Sequence, residues 1–214
     1  MAETSDFHLG ADVMAADGRK VGMLLRVIVE EDGFDPRALV VKEDESFAGR
    51  LRAAESLLIS DEVVIPIAAV ESATHDVVKL SMSAADIRHQ PPYLSHHFKR
   101  LTLETAALDE AQVLTLGVGV PSVDETANKA PGEIEIDQGE SVMLGTTGRR
   151  LGRVQDVLFD QSELIGVVIR PEGFFKRDVV LPIRFISRAD DLALFAHLSE
   201  SDIQQLKPFV EPEP

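Results

Sequence analysis

The chain has 214 residues, no cysteine and a formal net charge of -16 at pH 7. Without cysteine it cannot form disulfides, thiolate nucleophiles or cysteine-ligated metal sites. An excess of carboxylates repels phosphates and anionic lipid headgroups, so we expect no nucleic acid among its partners. The N-terminus lacks a basic region followed by an apolar core, and no apolar run is long enough to span a bilayer. We therefore expect a soluble, cytoplasmic protein without an integral membrane segment.

The first part of the chain is predicted to fold into strands. Asp17-Gly18 is typical of a tight turn, and the segments after it are rich in β-branched residues and leucine. Pro66 cannot donate to a sheet ladder, so its strand is expected to end there or to lie at a sheet edge. Ser83 followed by an acid three residues later predicts a short helix. The predicted strands are residues 13–14, 21–29, 37–41, 63–67 and 77–82.

The second part of the chain repeats this order. Gly148-Arg149-Arg150-Leu151-Gly152 is a near copy of Gly18-Arg19-Lys20-Val21-Gly22, and both are followed by an apolar-Pro-Ile step, another strand and a short helix. The first glycines of the two copies are 130 residues apart, whereas Pro66 and Pro182 are 116 apart. Copy one therefore carries 14 additional residues, which we place at 43–56. The strands predicted for copy two are residues 136–143, 151–159, 164–170, 179–183 and 192–198, with a helix that begins at Ser199.

The repeat predicts two domains, at residues 7–93 and 133–210, separated by a connector and linker at 94–132. Residues 96–116 contain enough leucine and valine to suggest partial order. Residues 121–132 have the composition of a flexible linker, with little to bury and no periodicity. Because copy two contains every element of the repeat, a fragment of residues 133–214 is expected to fold by itself.

The ordered series in each copy resembles a known family. Its parts are a strand, Gly-basic-basic-apolar-Gly, two apolar strands, an apolar-Pro-Ile strand end and one more strand. Each copy is similar to the PRC-barrel domain, named for the H subunit of the photosynthetic reaction centre and found also in the ribosome maturation factor RimM. The resemblance covers roughly residues 7–93 and 136–209. It implies an all-β fold of two tandem small PRC-like β-barrels, each followed by a short helix and joined by a partly ordered linker.

The resemblance also bears on function. The family is used mainly as a binding or assembly module and supplies no catalytic residues to transfer. It often has an acid four positions after the second glycine of the motif. Copy two has Asp156 at that position, whereas copy one has Arg26.

The paired glycines invite a phosphate-binding interpretation that the sequence does not support. Neither pair has the Gly-Lys-Ser/Thr of a P-loop or the Gly-x-Gly-x-x-Gly of a dinucleotide fold. We interpret Gly18 and Gly148 as turn residues with positive φ. Gly22 and Gly152 are expected to permit strong bending of a strand.

No motif in the chain indicates catalysis. The sequence has no Gly-x-Ser-x-Gly elbow and no carboxylate pair with a suggestive spacing. The six histidines lack the regular spacing of a metal site on one helix face. We therefore expect a protein that is not an enzyme and has no metal or cofactor. An enzyme with a site between the two barrels would need converging titratable groups at their interface.

Two segments are candidates for binding a partner. Adjacent phenylalanines on an extended strand point to opposite faces, so one of the pair at 174–175 can cover the other barrel or contact a partner. The segment at 96–100 is the one locally basic stretch, which suits an acidic partner. The candidate residues are Phe174, Phe175, His96, His97, Lys99 and Arg100.

We expect a binding or scaffold protein that acts through barrel surfaces in protein–protein assembly, with a homo-oligomer left open. The alternative is an RNA-associated maturation factor, by analogy with RimM. Charge opposes it, because 21 basic residues stand against 37 acidic ones. The basic pairs are also dispersed in the sequence, at Arg19-Lys20, Arg149-Arg150 and Lys176-Arg177.

Overall fold

The computed structural model describes residues 8–44, 62–98, 123–160, 163–172, 177–190 and 193–210. Within these residues the chain is built from strands, with two seven-stranded sheets, one two-stranded sheet and a few short helices. One large sheet contains six strands of copy one together with the strand Glu133–Asp137, which precedes copy two, and the other contains the strands of copy two. The all-β class and the tandem arrangement predicted from the sequence are confirmed.

Copy one begins with an antiparallel pair of strands around the Gly18 turn. In that sheet the order is β4-β3-β2-β1-β6-β5, and β1 is antiparallel to β2 and parallel to β6. The predicted strand at 63–67 ends at Pro66, where a 3-10 turn of residues Ile67–Ala69 begins. The strands are β1 (Asp12–Met14), β2 (Lys20–Glu30), β3 (Pro36–Glu43), β4 (Glu62–Pro66), β5 (Val70–Ala73) and β6 (Val77–Leu80), followed by a helix at Ala84–Ile87.

Copy two repeats the same strand order. Read in the same direction as for copy one, its sheet runs β16-β13-β12-β11-β10-β15-β14. Strand β10 is antiparallel to β11 and parallel to β15. The last strand covers the edge of β13, as the Pro92 bridge to Val63 covers β4 in copy one. The strands are β10 (Ser141–Leu144), β11 (Arg150–Asp160), β12 (Glu163–Pro171), β13 (Val179–Pro182), β14 (Ile186–Asp190), β15 (Ala193–Ala196) and β16 (Lys207–Pro208), with a 3-10 turn at Ile183–Phe185 and a helix at Glu200–Gln205.

The serines predicted to start the helices do so. Ser83 and Ser199 each have extended backbone angles and accept a hydrogen bond from the backbone N–H three residues later. At Ser199 the Asp202 carboxylate also accepts from the Ser199 backbone N–H, which completes a capping box. The Ser199 hydroxyl lowers the pKa of Asp202 below its ordinary value, because the hydrogen bond stabilises the charged form.

The glycines of the repeated motif have two different roles. Gly18 and Gly148 have φ of 79° and 67°, which confirms their prediction as turn residues with positive φ. At Gly22 a Cβ atom would lie 1.9 Å from the Lys42 backbone oxygen, and at Gly152 it would lie 2.2 Å from that of Arg170. The second glycine of each pair is therefore required because the neighbouring strand passes too close for a side chain, and not because of strand bending alone.

Several elements differ from the sequence expectation. The strand predicted at 136–143 is two strands, β9 (Glu133–Asp137) and β10, because Gly139 breaks the chain with a φ of 89°. Strands β5 and β14 were not predicted, since their sequences Val-Glu-Ser-Ala and Ile-Ser-Arg-Ala-Asp carry little apolar alternation. The insertion in copy one lies mostly outside the described residues, which stop at residue 44 and resume at 62.

Part of the segment between the copies is also a strand. Strand β7 (Leu94–Phe98) pairs antiparallel with β8 (Val123–Ala127), which falls within the stretch predicted as a flexible linker. The Asn128 backbone N–H donates to the Tyr93 carbonyl at 2.7 Å and so ties the end of this hairpin to copy one. The polar sequence Val-Asp-Glu-Thr-Ala gave no apolar signal for a strand.

The two copies share a hydrophobic core. Among the described residues, buried side chains of both copies belong to one contiguous cluster. Strand β9, which precedes copy two, pairs antiparallel with β2 of copy one and buries Ile134 and Ile136. Burying side chains of this size stabilises the fold by roughly 1.5–3 kcal/mol each. The predicted domain limits and the independent folding of residues 133–214 stay predictions.

Candidate functional site

The structure describes few of the residues that the sequence marked as candidates. His96 and His97 lie on β7, where the backbone register places them opposite Glu125 and Asp124 of β8. Phe174, Phe175, Lys99 and Arg100 lie outside the described residues. A role for these six residues in partner binding stays a prediction.

An exposed cluster of arginines lies on copy two, beside the close approach at Gly152. Arg153 on β11 and Arg170 on β12 are directly opposite each other in the antiparallel register, and both are exposed. Directly opposite residues of an antiparallel pair point to the same face, with Cβ atoms roughly 4.5–5.5 Å apart. The fold therefore brings two positive charges from distant sequence positions side by side.

Neighbouring groups fix the orientation of these arginines. Arg170 donates two hydrogen bonds to Asp178, at 2.9 and 3.0 Å, and this fork raises the pKa of Arg170 above its ordinary value. Arg150 forms an ion pair with Glu172. Arg153 donates to the Gly139 carbonyl at 3.1 Å. Arg149 and Arg177 are both exposed and are adjacent in sequence to Arg150 and Asp178. We name the surface of Arg153 and Arg170 the arginine face.

Copy one has a different composition at the equivalent surface. Met23 is paired with Lys42 there, in the register that pairs Arg153 with Arg170 in copy two. The Met23 side chain is 47% exposed. The neighbouring Lys20 forms an ion pair with Asp12 at 2.6 Å. Lys20, Met23 and Lys42 line a shallow hollow together with Gly22, Glu43 and Asp44. The same backbone frame thus carries Met23 opposite Lys42 in copy one and two opposed arginines in copy two.

Titratable groups also converge at two places where the copies meet. We name this region the junction; its residues are Arg26, Glu62, Tyr93 and Asp137 at the first place and His8 and Asp156 at the second. At the first, Arg26 lies 3.3 Å from Glu62 and 3.6 Å from Asp137, and its guanidinium stacks over the Tyr93 ring at 4.6 Å. Burial raises the pKa of Asp137 above its ordinary value, while the nearby charge of Arg26 opposes that rise. Tyr93 itself is only 2% exposed.

At the second place, the N-terminal segment of copy one reaches copy two. The buried Asp156 carboxylate accepts from the Leu9 backbone N–H at 2.8 Å and lies 2.7 Å from Nδ1 of His8. It also accepts from the Val157 backbone N–H at 2.7 Å. The His8 ring stacks on His75 with centroids 4.4 Å apart. The contacts of Asp156 with Leu9 and His8 tie the N-terminal segment of copy one to copy two.

Two further observations concern the classes of site considered from the sequence. Within the described ranges, no group of three or more histidine, aspartate or glutamate side chains is arranged to hold a metal ion. No helix in that part of the chain is both long and apolar enough to cross a membrane.

The comparison with protein families agrees with the geometry. A family model for the PRC-barrel domain matches residues 9–84 and 138–195. The chain belongs to the PRC-barrel family. The two matched segments correspond to the two large sheets, so both copies are PRC-barrel domains. The family assignment indicates a binding or scaffold role in general terms. No curated protein matches the sequence well enough to be named as a relative.

Sequence reasoning noted the basic pairs of this PRC-barrel protein but described them as dispersed. The structure adds a pair that this description did not include, because the register of β11 and β12 places Arg153 opposite Arg170. The repeat in the sequence carried the signal from which this arginine pair could have been found. Aligning the strands around Gly22 and Gly152 shows that Arg153 replaces Met23 and Arg170 replaces Lys42.

Proposed function

We propose that this PRC-barrel protein is a non-enzymatic binding or scaffold protein whose copy two holds an acidic protein partner against the arginine face. The observation that supports this most strongly is the direct opposition of Arg153 and Arg170, both exposed, in a chain with a net charge of -16. A guanidinium group presents several N–H donors in a planar fork that matches a carboxylate. Acidic side chains of a partner are therefore the natural ligands of this surface.

The arrangement of charges supports a ligand at this surface. Like charges directly opposite each other on a sheet destabilise the free protein. Copy one avoids that cost at the same position, because it has Met23 opposite Lys42. Asp178 already offsets the charge of Arg170, and a partner carboxylate beside Arg153 offsets the second charge and gains charge-assisted hydrogen bonds.

An acidic protein fits the surface better than a nucleic acid does. Glu172 and Asp178 are paired with Arg150 and Arg170 and would repel any anion brought close, so the surface suits a few separate carboxylates rather than the continuous row of phosphates along a nucleic-acid strand. The overall negative charge also opposes the approach of a polyanion from a distance. The one tyrosine of the chain is buried and provides no surface for stacking bases.

The experiment is site-specific photo-crosslinking with the chain of 214 residues in an extract of its native host. A photoreactive amino acid replaces Arg149 in one preparation and Arg19 in another, since these residues occupy equivalent positions beside the turn glycines of the two copies. Adducts are expected at position 149 and not at position 19. Mass spectrometry should identify the captured species as a protein with an acidic contact segment.

A matched variant completes the test. Arg153→Met with Arg170→Lys gives copy two the residues that copy one already carries at these positions, so the fold is expected to be unaffected. The adduct at position 149 should disappear in this variant. An adduct that nuclease removes would support the RNA-associated role instead, and an adduct that persists in the variant would show that the arginine face is not the binding surface.

A further inference from the structure

The two copies exchange the segments that precede their first sheet strands. His8 lies four residues before β1 of copy one, and it contacts Asp156 of copy two. Asp137 lies four residues before β10 of copy two, and it contacts Arg26 of copy one. Arg26 and Asp156 in turn occupy the same position of the repeat, four residues after the second motif glycine. The junction is thus reciprocal, with each copy using equivalent positions to contact the other.

The charges at these equivalent positions are reversed between the copies. Copy one carries Arg26 on its sheet and His8 on its exchanged segment, whereas copy two carries Asp156 on its sheet and Asp137 on its segment. Arg26 therefore meets an acid, and Asp156 meets a hydrogen-bonding imidazole. Both contacts within the chain are complementary.

The same geometry makes pairing of like copies unfavourable. If copy two met a second copy two in this way, Asp156 would face Asp137 at both contacts. If copy one met a second copy one, Arg26 would face His8 in place of Asp137, so it would lose the acid that copy two supplies and keep Glu62 of its own copy. Like charges at a close interface cost more than they do in water, because the surroundings screen them less.

We propose that the charges at the junction decide which domains pair there: a domain of the copy-one type pairs with a domain of the copy-two type and not with its own type. The two copies of one chain therefore pair with each other and reject further copies of the chain. This accounts for the departure of copy one from the family pattern at Arg26. It also gives a reason for Asp137, whose charge is opposed by burial and so adds little to stability.

A single charge reversal changes the predicted partner. In Asp137→Arg, Arg26 faces an arginine at the junction within the chain, which is a repulsive contact. Copy two also becomes complementary to a second copy two, because Asp156 of one chain faces the introduced arginine of the other. This variant should have twice the mass of the wild-type protein by size-exclusion chromatography with light scattering. Glu163→Arg is the control, since it makes the same change in charge on an exposed residue of β12 away from the junction. Its mass should equal that of the wild type.

A second change decides whether charge is the cause. Arg26→Asp added to Asp137→Arg restores opposite charges within the chain, and the mass should return to the wild-type value. A folded Asp137→Arg protein with unchanged mass, or a double variant that stays doubled, would overturn the proposal. If circular dichroism shows that Asp137→Arg does not fold, His8→Asp replaces it. In that variant the introduced aspartate repels Asp156, and copy one becomes complementary to itself through Arg26. A doubled mass supports the proposal, and an unchanged mass overturns it.

Discussion

Gly152→Val is expected to destabilise the protein by about 3 kcal/mol or more, since it places a branched side chain where a neighbouring strand passes. A Cβ atom at this position would lie 2.2 Å from the Arg170 backbone oxygen and 2.9 Å from the Cα atom of Pro171. Carbon and oxygen atoms in close contact across strands stay roughly 3.3–3.6 Å apart. The strands must therefore separate by roughly 1 Å at a buried position, because backbone atoms cannot rotate away as a side chain can.

The magnitude follows from two costs. Overpacking at a well-packed position costs about 1–3 kcal/mol. Separating β11 from β12 also weakens the ladder at the Gly152–Pro171 and Arg153–Arg170 pairs, and each hydrogen bond lost there costs about 1 kcal/mol. Two substitutions nearby provide the scale. Gly148→Ala forces a side chain into the left-handed region with no neighbour within 4 Å, which should cost about 1 kcal/mol. Arg150→Ala removes a partly exposed ion pair and should cost about 0.5 kcal/mol or less.

The assay is urea unfolding followed by circular dichroism, with the wild-type protein and the three variants in the same buffer. Stability is compared through the midpoint and the slope of each transition. The order of loss should be Gly152→Val, then Gly148→Ala, then Arg150→Ala. Equal losses for Gly152→Val and Arg150→Ala would refute the close approach of the two strands as the reason for the glycine.

Two predictions concern the dependence of stability on pH. Burial raises the pKa of Asp137, so the folded protein binds the proton of this carboxyl group more tightly than the unfolded chain does. The stability that protonation adds is therefore present below the unfolded pKa of 3.8 and is lost as pH rises through the folded pKa. Asp137→Asn should therefore raise the melting temperature slightly at pH 7 and leave it unchanged at pH 3; a clear loss at pH 7 would show that the ion pair with Arg26 outweighs burial. Ser199→Ala should cost about 1 kcal/mol at pH 7 through the lost cap. Since the Ser199 hydroxyl lowers the pKa of Asp202, part of this difference should vanish as pH falls through the folded pKa of Asp202, and a difference that does not change with pH would contradict the capping box.

Local chemistry explains which parts of the fold could be predicted from the sequence. A positive φ at Gly18, the end of a strand at Pro66 and the caps at Ser83 and Ser199 each depend on a few adjacent residues. Strand β8 escaped prediction because its residues are mostly polar and its pairing with β7 joins positions far apart in the chain. Pairings between distant strands leave little trace in local patterns.

The candidate site was harder to predict for the same reason. Arg153 and Arg170 become neighbours through the register of β11 and β12, and His8 meets Asp156 although 148 residues separate them in sequence. The sequence did show that Arg26 and Asp156 differ at equivalent positions. Only the exchange of segments between the copies shows that the two positions lie at the junction between them.

The most direct test of the proposed function is the affinity of the crosslinked partner for defined variants of the chain. Isothermal titration calorimetry would compare the wild-type protein, Arg153→Met with Arg170→Lys, and a control in which Met23→Arg adds a cation at the equivalent place on copy one. The loss of two guanidinium contacts should weaken binding by a factor of roughly ten or more, which corresponds to about 1.4 kcal/mol. The Met23→Arg control should bind as the wild type does. Equal affinity of all three proteins would contradict binding through the arginine face.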